Sequence, residues 1–307
     1  MFSTHVESDT PLEMHYYLRL DEQSLDILLG CDMQDLPKTS TTSCRICNSR
    51  TIFFSSSKVL EEIGIYSRCE SCSSVQVENP TWLEFAHSRA ISIFDTGLVS
   101  RCISASKMIS TMLFLERKTG TLGFDWGGGT GLLTRLLRDR GYQAFSYDFY
   151  ANSEHAAGFE VNLADFDKPS MFVSSIECFE HLTSPRETYK KATQNTQYFF
   201  FTTELICTPP PNPATEGWWY YIPESGQHVT FVSKLGLERF REYLGFQHYE
   251  MVGSLHIFSR VKLKFWTRVL MKNRISRALI LLLVPELLNK RSSLTLSDKE
   301  HLMRTSK

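Results

Sequence analysis

Three groups of residues in this 307-residue chain have types and spacings that could do chemistry. The first is a pair of C-x-x-C loops, Cys44-Arg45-Ile46-Cys47 and Cys69-Glu70-Ser71-Cys72, with 21 residues between them. Each loop offers two thiolates, so together they make a structural four-cysteine zinc site that leaves no coordination position open for catalysis. Disulfides are disfavoured, because the N-terminus carries three acids and no basic residue before Arg19 and so lacks a secretory layout. A thioredoxin-like motif would occur once and open a helix, whereas this pair is doubled. Cys31, Cys102, Cys178 and Cys207 are scattered and read as small buried residues. The second group is Gly127, Gly129 and Gly131, preceded by Asp125 and followed by Asp148. The third combines Glu177-Cys178-Phe179-Glu180-His181-Leu182 with a loop from Gly217 to Thr230 that holds four consecutive aromatics, Trp218 to Tyr221. There a histidine is the natural base for removing a proton near neutral pH, with His228 first and His181 second. Tyr221 and Glu224 would orient that base or hold a substrate hydroxyl. For these groups the plain alternatives are a tight turn, helix capping by Glu180 and His181, and aromatic packing.

The elements that must position these groups are those of an α/β protein. Leu122 to Phe124 form a buried strand ending at Asp125, and the glycines make a tight turn into a helix with Leu132, Leu133, Leu136 and Leu137 on one face. A second strand, Gln143 to Tyr147, ends at Asp148, completing one nucleotide-binding half of a doubly wound sheet. A dinucleotide site needs G-x-G-x-x-G; here the spacing is G-x-G-x-G and position 132 is Leu. Further strands are expected at Met171 to Ile176 and Gln197 to Thr202, helices at Pro185 to Thr193 and Ser233 to Leu244, and a closing hairpin around Val252-Gly253. Short strands at Thr51 to Phe54, Gly64 to Ser67 and Ser74 to Val77 fit a zinc ribbon. The chain divides into an arm at 1–40, the ribbon at 41–80, a helical cap at 81–118, whose residues Ile91, Ile93 and Phe94 would help cover the pocket, a core at 119–260 and a basic tail at 261–307.

The D-W-G-G-G-T-G turn resembles motif I of class I S-adenosylmethionine-dependent methyltransferases, and the E-x-x-E-H-L segment is similar to one found in many small-molecule methyltransferases. With the four-cysteine ribbon and the W-W-Y-Y-I-P-E-S-G-Q-H-V-T-F loop, residues 41–260 resemble bacterial class I methyltransferases of sugar and cell-surface glycan biosynthesis, nearest in pattern to zinc-containing sugar C-methyltransferases. The resemblance implies a Rossmann-like seven-stranded sheet with an antiparallel terminal hairpin, plus a small N-terminal zinc ribbon. It also implies S-adenosylmethionine held by Asp125, Gly127, Gly129, Thr130, Gly131, Asp148 and Glu177, with Asp148 accepting from the ribose hydroxyls. In that group a histidine ending the aromatic loop is implicated in substrate deprotonation, a role carried here to His228, and that of its tyrosine to Tyr221. Those enzymes have a further C-terminal domain; this chain has a basic tail of 47 residues. The implied activity is methyl transfer to a sugar, nucleotide-sugar, glycan or related small molecule by in-line displacement on the sulfonium methyl.

Charge weighs the competing classes. Residues 41–80 hold four basic and four acidic side chains, with no stripe to neutralise phosphates, so RNA methylation is the minority reading and no nucleic-acid partner is expected. A non-catalytic cofactor-binding protein is the third class. From Arg260 to Lys307 there are twelve Lys or Arg against three acids, so the body is net acidic and the tail basic. Lys262 to Ile275 reads as an amphipathic helix, either packed on its own domain or meeting an anionic membrane or lipid-linked substrate. The longest apolar run, Ala278 to Val284, ends at Pro285 and is too short to span a bilayer. The expected location is cytoplasmic, with peripheral contact at the inner membrane surface through the tail as the variant of that expectation.

Overall fold

The computed structural model describes residues 42–87 and 95–305. The arm at 1–40, and Ile91, Ile93 and Phe94 of the expected cap, lie outside the described residues, as does Cys31.

The two C-x-x-C loops sit at the ends of antiparallel strands β1 (Thr51–Val59), β2 (Glu62–Cys69) and β3 (Val75–Glu78). β1 and β2 run longer than the sequence pattern indicates, and β3 is shifted by one residue from the expected Ser74 to Val77. A fourth strand from far along the chain, Thr230–Phe231, pairs with β3 through Val75↔Phe231 and Gln76↔Thr230. The ribbon is thus stitched to the core. Arg45 reinforces the seam by donating to the carbonyls of Val77 (2.6 Å) and Val229 (2.7 Å).

Helix α1 (Leu98–Leu115) leads into the main sheet. Its Ala105, Ile109, Met112 and Leu113 are buried in the sheet's core, so most of α1 is a core layer and only its first turn borders the cavity, a correction to the expected cap. It is also long and apolar enough to cross a membrane by length and composition, but half of it is buried inside the protein.

Six strands make the main sheet among the described residues: β4 (Leu122–Trp126), β5 (Gln143–Tyr147), β6 (Ser170–Ser175), β7 (Thr196–Thr202), β9 (His248–Val252) and β10 (Leu255–Ser259), with Thr230–Phe231 as β8. Their order is β5-β4-β6-β7-β10-β9. The first four are parallel and the last pair returns antiparallel, the terminal hairpin expected from the sequence. Among the described residues there is no seventh strand. Beside β5 only a single parallel bridge, Ser146↔Glu160, takes its place. Gly158 turns the chain with φ of 83° just before it, and a 3-10 helix starts at Leu163, so too few residues stay extended.

Both faces of the sheet are covered, as parallel strands require, which is why β7 reads as an unbroken apolar run. Tyr198 and Phe200 pack on the α1 side, while Phe199 and Phe201 pack on the side of α3 (Pro185–Thr193) and α4 (Lys234–Tyr243). Ser233 caps α4 by accepting from Gly236 N–H (3.0 Å).

The basic tail folds into α5 (Phe265–Lys272), α6 (Arg274–Ser292) and α7 (Thr295–Thr305), with α2 being Leu132–Asp139. One face of it packs on the core. Arg268 and Lys272 both pair with Glu250 (2.7 Å each), and Asp298 is held in a buried fork by Arg138 (2.6 and 2.8 Å). Pro285 ends the apolar run but not the helix, which continues to Ser292 with Val284, Pro285 and Leu288 buried. The other face of α6 shows Ile275, Leu279, Leu282 and Leu283 to solvent.

Candidate active site

The glycine turn follows β4 directly. Gly127, Gly129 and Gly131 all have positive φ (69°, 54° and 78°), a region where a side chain is strained. At Gly131 a Cβ would also collide with Ser153 Oγ just where α2 begins. At Gly129 a Cβ would meet nothing within 4 Å; that side of the turn opens into a cavity of about 900 Å³. Thr130 lines the same wall. Asp148, at the tip of β5, is pinned by backbone donors: Gly129 N–H to Oδ2 (2.9 Å), and Tyr150 and Ala151 N–H to Oδ1 (2.8 and 2.9 Å). Each carboxylate oxygen has two lone pairs, so acceptor capacity remains on the cavity side. These are features that a ribose-bearing cofactor would use.

Asp125 is placed differently from its expected role. It is 2% exposed, and its oxygens accept from Ser174 (2.7 Å) and Thr134 (3.2 Å), tying β4 to β6 and α2 behind the turn. Burial pushes its carboxyl up to about 7. Glu177, with φ of 54°, turns into the cavity edge, accepts from Thr202 Oγ1 (2.7 Å) and pairs with Arg101 (3.2 Å). Arg101 also binds Asp95.

Across the cavity, the E-x-x-E-H-L segment and the aromatic loop bring Glu180, His181 and His228 together. One potential ligand atom from each lies within 4.8 Å of the others. The ribbon fixes this meeting. His228 stands two residues before β8, Val229 N–H donates to Glu180 O (2.8 Å), and Thr230 Oγ1 donates to Leu182 O (2.7 Å). His228 Nδ1 lies 2.7 Å from Tyr220 O; a carbonyl only accepts, so Nδ1 carries the proton and Nε2 its lone pair. Burial lowers the His228 imidazole to about 4 and the His181 imidazole well below its usual value, so both are neutral at pH 7. Glu180 is wholly buried and pushed up to about 8, first by burial and then by Glu177.

The aromatic quartet splits. Trp219 and Tyr220 line the cavity, whereas Trp218 and Tyr221 pack against the ribbon. Tyr221, expected near the base, is buried edge-on to Tyr66 and Phe231, and its hydroxyl donates to Pro211 O (2.6 Å). Glu224 is exposed on a turn whose Pro223 carbonyl accepts from Leu60 N–H, and it does not line the cavity. The cause in both cases is the left-handed Ile222 (φ 37°), which reverses the chain between the two residues. Sequence reasoning missed Tyr220, Glu180 as more than a motif letter, and His87. The His87 ring stacks on Tyr150 (5.2 Å), and its Nε2 lies 3.4 Å from His181 Nδ1.

The four ribbon cysteines are brought together as expected, with no disulfide: their sulfurs all lie within 4.8 Å of one another. Backbone N–H groups of Ile46, Ser71 and Cys72 point at the sulfurs (3.4 Å each), a donor set suited to a cation-bound thiolate cluster. Cys102 is buried as expected; Cys178 is only half-buried and Cys207 is exposed, both corrections, the latter because it lies on the Pro-rich loop.

Residues 105–250, just under half the chain, match the family model described as a methyltransferase domain. The chain therefore carries an enzyme domain of the methyltransferase type. No curated protein matches the chain significantly. Among solved structures, an O-methyltransferase family protein from Burkholderia thailandensis is 13% identical over 51% of this chain, with a TM-score of 0.39. The chain spans 55% of that protein's length. Magnesium protoporphyrin IX methyltransferase from Synechocystis with bound S-adenosylmethionine is 11% identical over 59% of this chain and 90% of its own, at 0.35. A putative O-methyltransferase from Nostoc punctiforme is 11% identical over 59% of this chain and 66% of its own, at 0.38. At these scores none of the three fixes what this chain acts on.

Proposed function

We propose that the protein transfers the methyl group of S-adenosylmethionine to a hydroxyl of a sugar, glycan or related neutral small molecule. The observation that carries this reading is that one cavity is edged by Gly129 and Asp148 on one side and by His181 and His228 on the other. The glycine turn suits the methionine portion of the cofactor, and Asp148 its ribose. Thr130, Gly127 and Gly131 shape the turn, Asp125 braces it, and Glu177 borders it. When bound, the cofactor supplies an electrophilic methyl on a sulfonium; the protein's task is to align the acceptor, exclude water and draw off a proton. His228 comes first for that activation, Nε2 taking the proton directly in the simplest form, and His181 second.

Trp219 and Tyr220 offer faces for stacking on sugar rings. Asp95, Asp148 and Glu177 border the cavity with the cations Arg101 and Lys191, while burial holds Asp125 and Glu180 toward their neutral forms. That balance favours a neutral polyhydroxyl acceptor over RNA or a diphosphate. Incubation with methyl-labelled S-adenosylmethionine and a panel of sugars, oligosaccharides and RNA is expected to label a sugar hydroxyl. Label found only in RNA would contradict the reading.

In the same account residues 41–80 form a structural zinc ribbon with Cys44, Cys47, Cys69 and Cys72 as ligands, and 119–260 hold the cofactor core. The tail is assigned a peripheral membrane contact. The outer face of α5 and α6 presents Phe265, Trp266 (70% exposed), Leu279 and Leu282, flanked by exposed Lys262, Lys264, Arg274, Lys290 and Arg291, with Glu286 the exposed acid among them. An apolar face rimmed by cations fits an anionic bilayer, whereas a second copy would bring like charges together. Flotation with vesicles of equal parts phosphatidylglycerol and phosphatidylcholine should carry the protein, pure phosphatidylcholine should not, and Leu282→Glu should weaken binding. No flotation, or light scattering that shows the face closed in a dimer, would contradict it.

A further inference from the structure

We propose that Glu180, His181 and His228 form a second metal site, distinct from the cysteine ribbon, which holds one divalent first-row transition ion in the cavity. The argument starts from protons. The Nδ1 of His87 lies 2.9 Å from Leu83 O, and that of His228 lies 2.7 Å from Tyr220 O. Carbonyl oxygens only accept, so both Nδ1 atoms carry the hydrogen and both Nε2 atoms carry lone pairs. The Nε2 of His87 then faces His181 Nδ1 at 3.4 Å, which sets the His181 proton on Nδ1 as the donor. The chain of contacts leaves His181 Nε2 and His228 Nε2 as acceptors.

The third member is a carboxylate. Glu180 has no exposed surface, and among the described residues neither oxygen has a partner within hydrogen-bond geometry and no Lys or Arg pairs with it. The hydroxyls of Tyr220 and Thr203 lie beside it and 3.4 Å from each other; only one of the two donates in that contact, and both favour the ionised carboxyl against its burial. Leaving a buried carboxylate without a partner is costly. Two imidazoles with lone pairs on Nε2 and one buried carboxyl group each bring one ligand atom within 4.8 Å of the others, a cluster in which the carboxyl's own proton is what a bound cation would replace. A cation engages all three at once.

The ligand set selects the ion. Two histidines and one carboxylate on one side of an open cavity suit Fe²⁺, Mn²⁺, Co²⁺ or Zn²⁺, with the remaining positions open to a substrate oxygen. The backbone bonds of His87 and His228, and the His87–His181 contact, are the outer supports such ligands normally have. The site also offsets the acidic balance of the cavity wall.

The ion's use rests on the methyl-transfer reading above and replaces direct proton uptake by His228. The acceptor's hydroxyl oxygen binds the ion, which lowers its pKa, and its proton leaves to solvent. That oxygen forms the new C–O bond with the sulfonium methyl while the C–S bond breaks, and its electron pair stays on sulfur as a neutral thioether. Atoms and charge balance without a redox partner.

The test is calorimetric titration of Co²⁺ into the full chain carrying one zinc, held by the cysteine ribbon, with neither cofactor nor acceptor present. One further equivalent of Co²⁺ should bind, and Glu180→Gln and His181→Ala should each weaken it by at least tenfold while leaving the ribbon zinc in place. In the wild type, two exchangeable, paramagnetically shifted N–H resonances are expected, one each from His181 and His228, so the proposal does not depend on the variants folding. No equivalent beyond the ribbon zinc, binding unchanged in both variants, or absence of shifted imidazole resonances overturns it. Because ion binding is read without cofactor, a protein that binds Co²⁺ but not S-adenosylmethionine would sink the methyl-transfer reading and leave this site standing.

Discussion

Replacing His228 with Ala is expected to lower kcat/KM by about 10²- to 10⁴-fold, with the dissociation constant for S-adenosylmethionine within about twofold of wild type. The size follows from position. The imidazole faces the cavity from the loop before β8, and among the described residues no hydrogen bond joins it to the glycine turn or Asp148, so its loss removes activation of the acceptor and leaves the cofactor's contacts alone. Whether Nε2 takes the proton itself or holds an ion that acidifies the acceptor's hydroxyl, the substitution removes the same group. Turnover within threefold of wild type would take His228 out of the chemistry. A parallel loss of cofactor affinity would show that it acts through the fold.

Cys69→Ser is the second large effect, and it reaches the chemistry by a longer route. Structural zinc contributes apparent binding energies of roughly 10–16 kcal/mol in zinc-finger peptides, and a ribbon this small has little core of its own. Removing one thiolate should drop bound zinc from one per chain to well under half and loosen β1 to β3. Because β3 is the partner that holds β8 in register, and β8 follows His228 by two residues, turnover should fall along with zinc. Cofactor affinity should change less, since β4, α2 and β5 lie in the other sheet. Metal analysis together with turnover checks this: full zinc content in the variant, or zinc loss with turnover intact, would contradict the coupling.

The features legible in the sequence were those written in short spacings. Gly127, Gly129 and Gly131 are local because each answers a backbone angle, and the C-x-x-C loops are local because each presents two sulfurs from one turn. Strands β4 to β7, α3, α4 and the closing hairpin followed from periodicity. What the sequence did not yield depended on long-range register. The pairing of β8 with β3 joins residues more than 150 positions apart, and no local pattern announces it. Tyr221 and Glu224 were assigned to the site because they adjoin His228 in sequence; the left-handed turn at Ile222 sends one into the ribbon core and the other to solvent. His87 reaches His181 only through the fold. The seventh strand was an expectation carried by resemblance, and the short extended stretch around Glu160 could not supply it. The amphipathic start of the tail and its apolar run are legible, but which face packs on the core is set by Glu250 and Arg138, outside the tail altogether.

The account's central claim is that the glycine turn and Asp148 hold S-adenosylmethionine, and isothermal calorimetry of that cofactor against wild type and Asp148→Ala tests it most directly. Hydrogen bonds to a charged acceptor contribute about 1.5–3 kcal/mol each, so losing the ribose contacts should weaken binding by roughly 10- to 100-fold. The account predicts one equivalent bound by the wild type and that loss in the variant. No binding by the wild type, or equal affinity in both proteins, would contradict it.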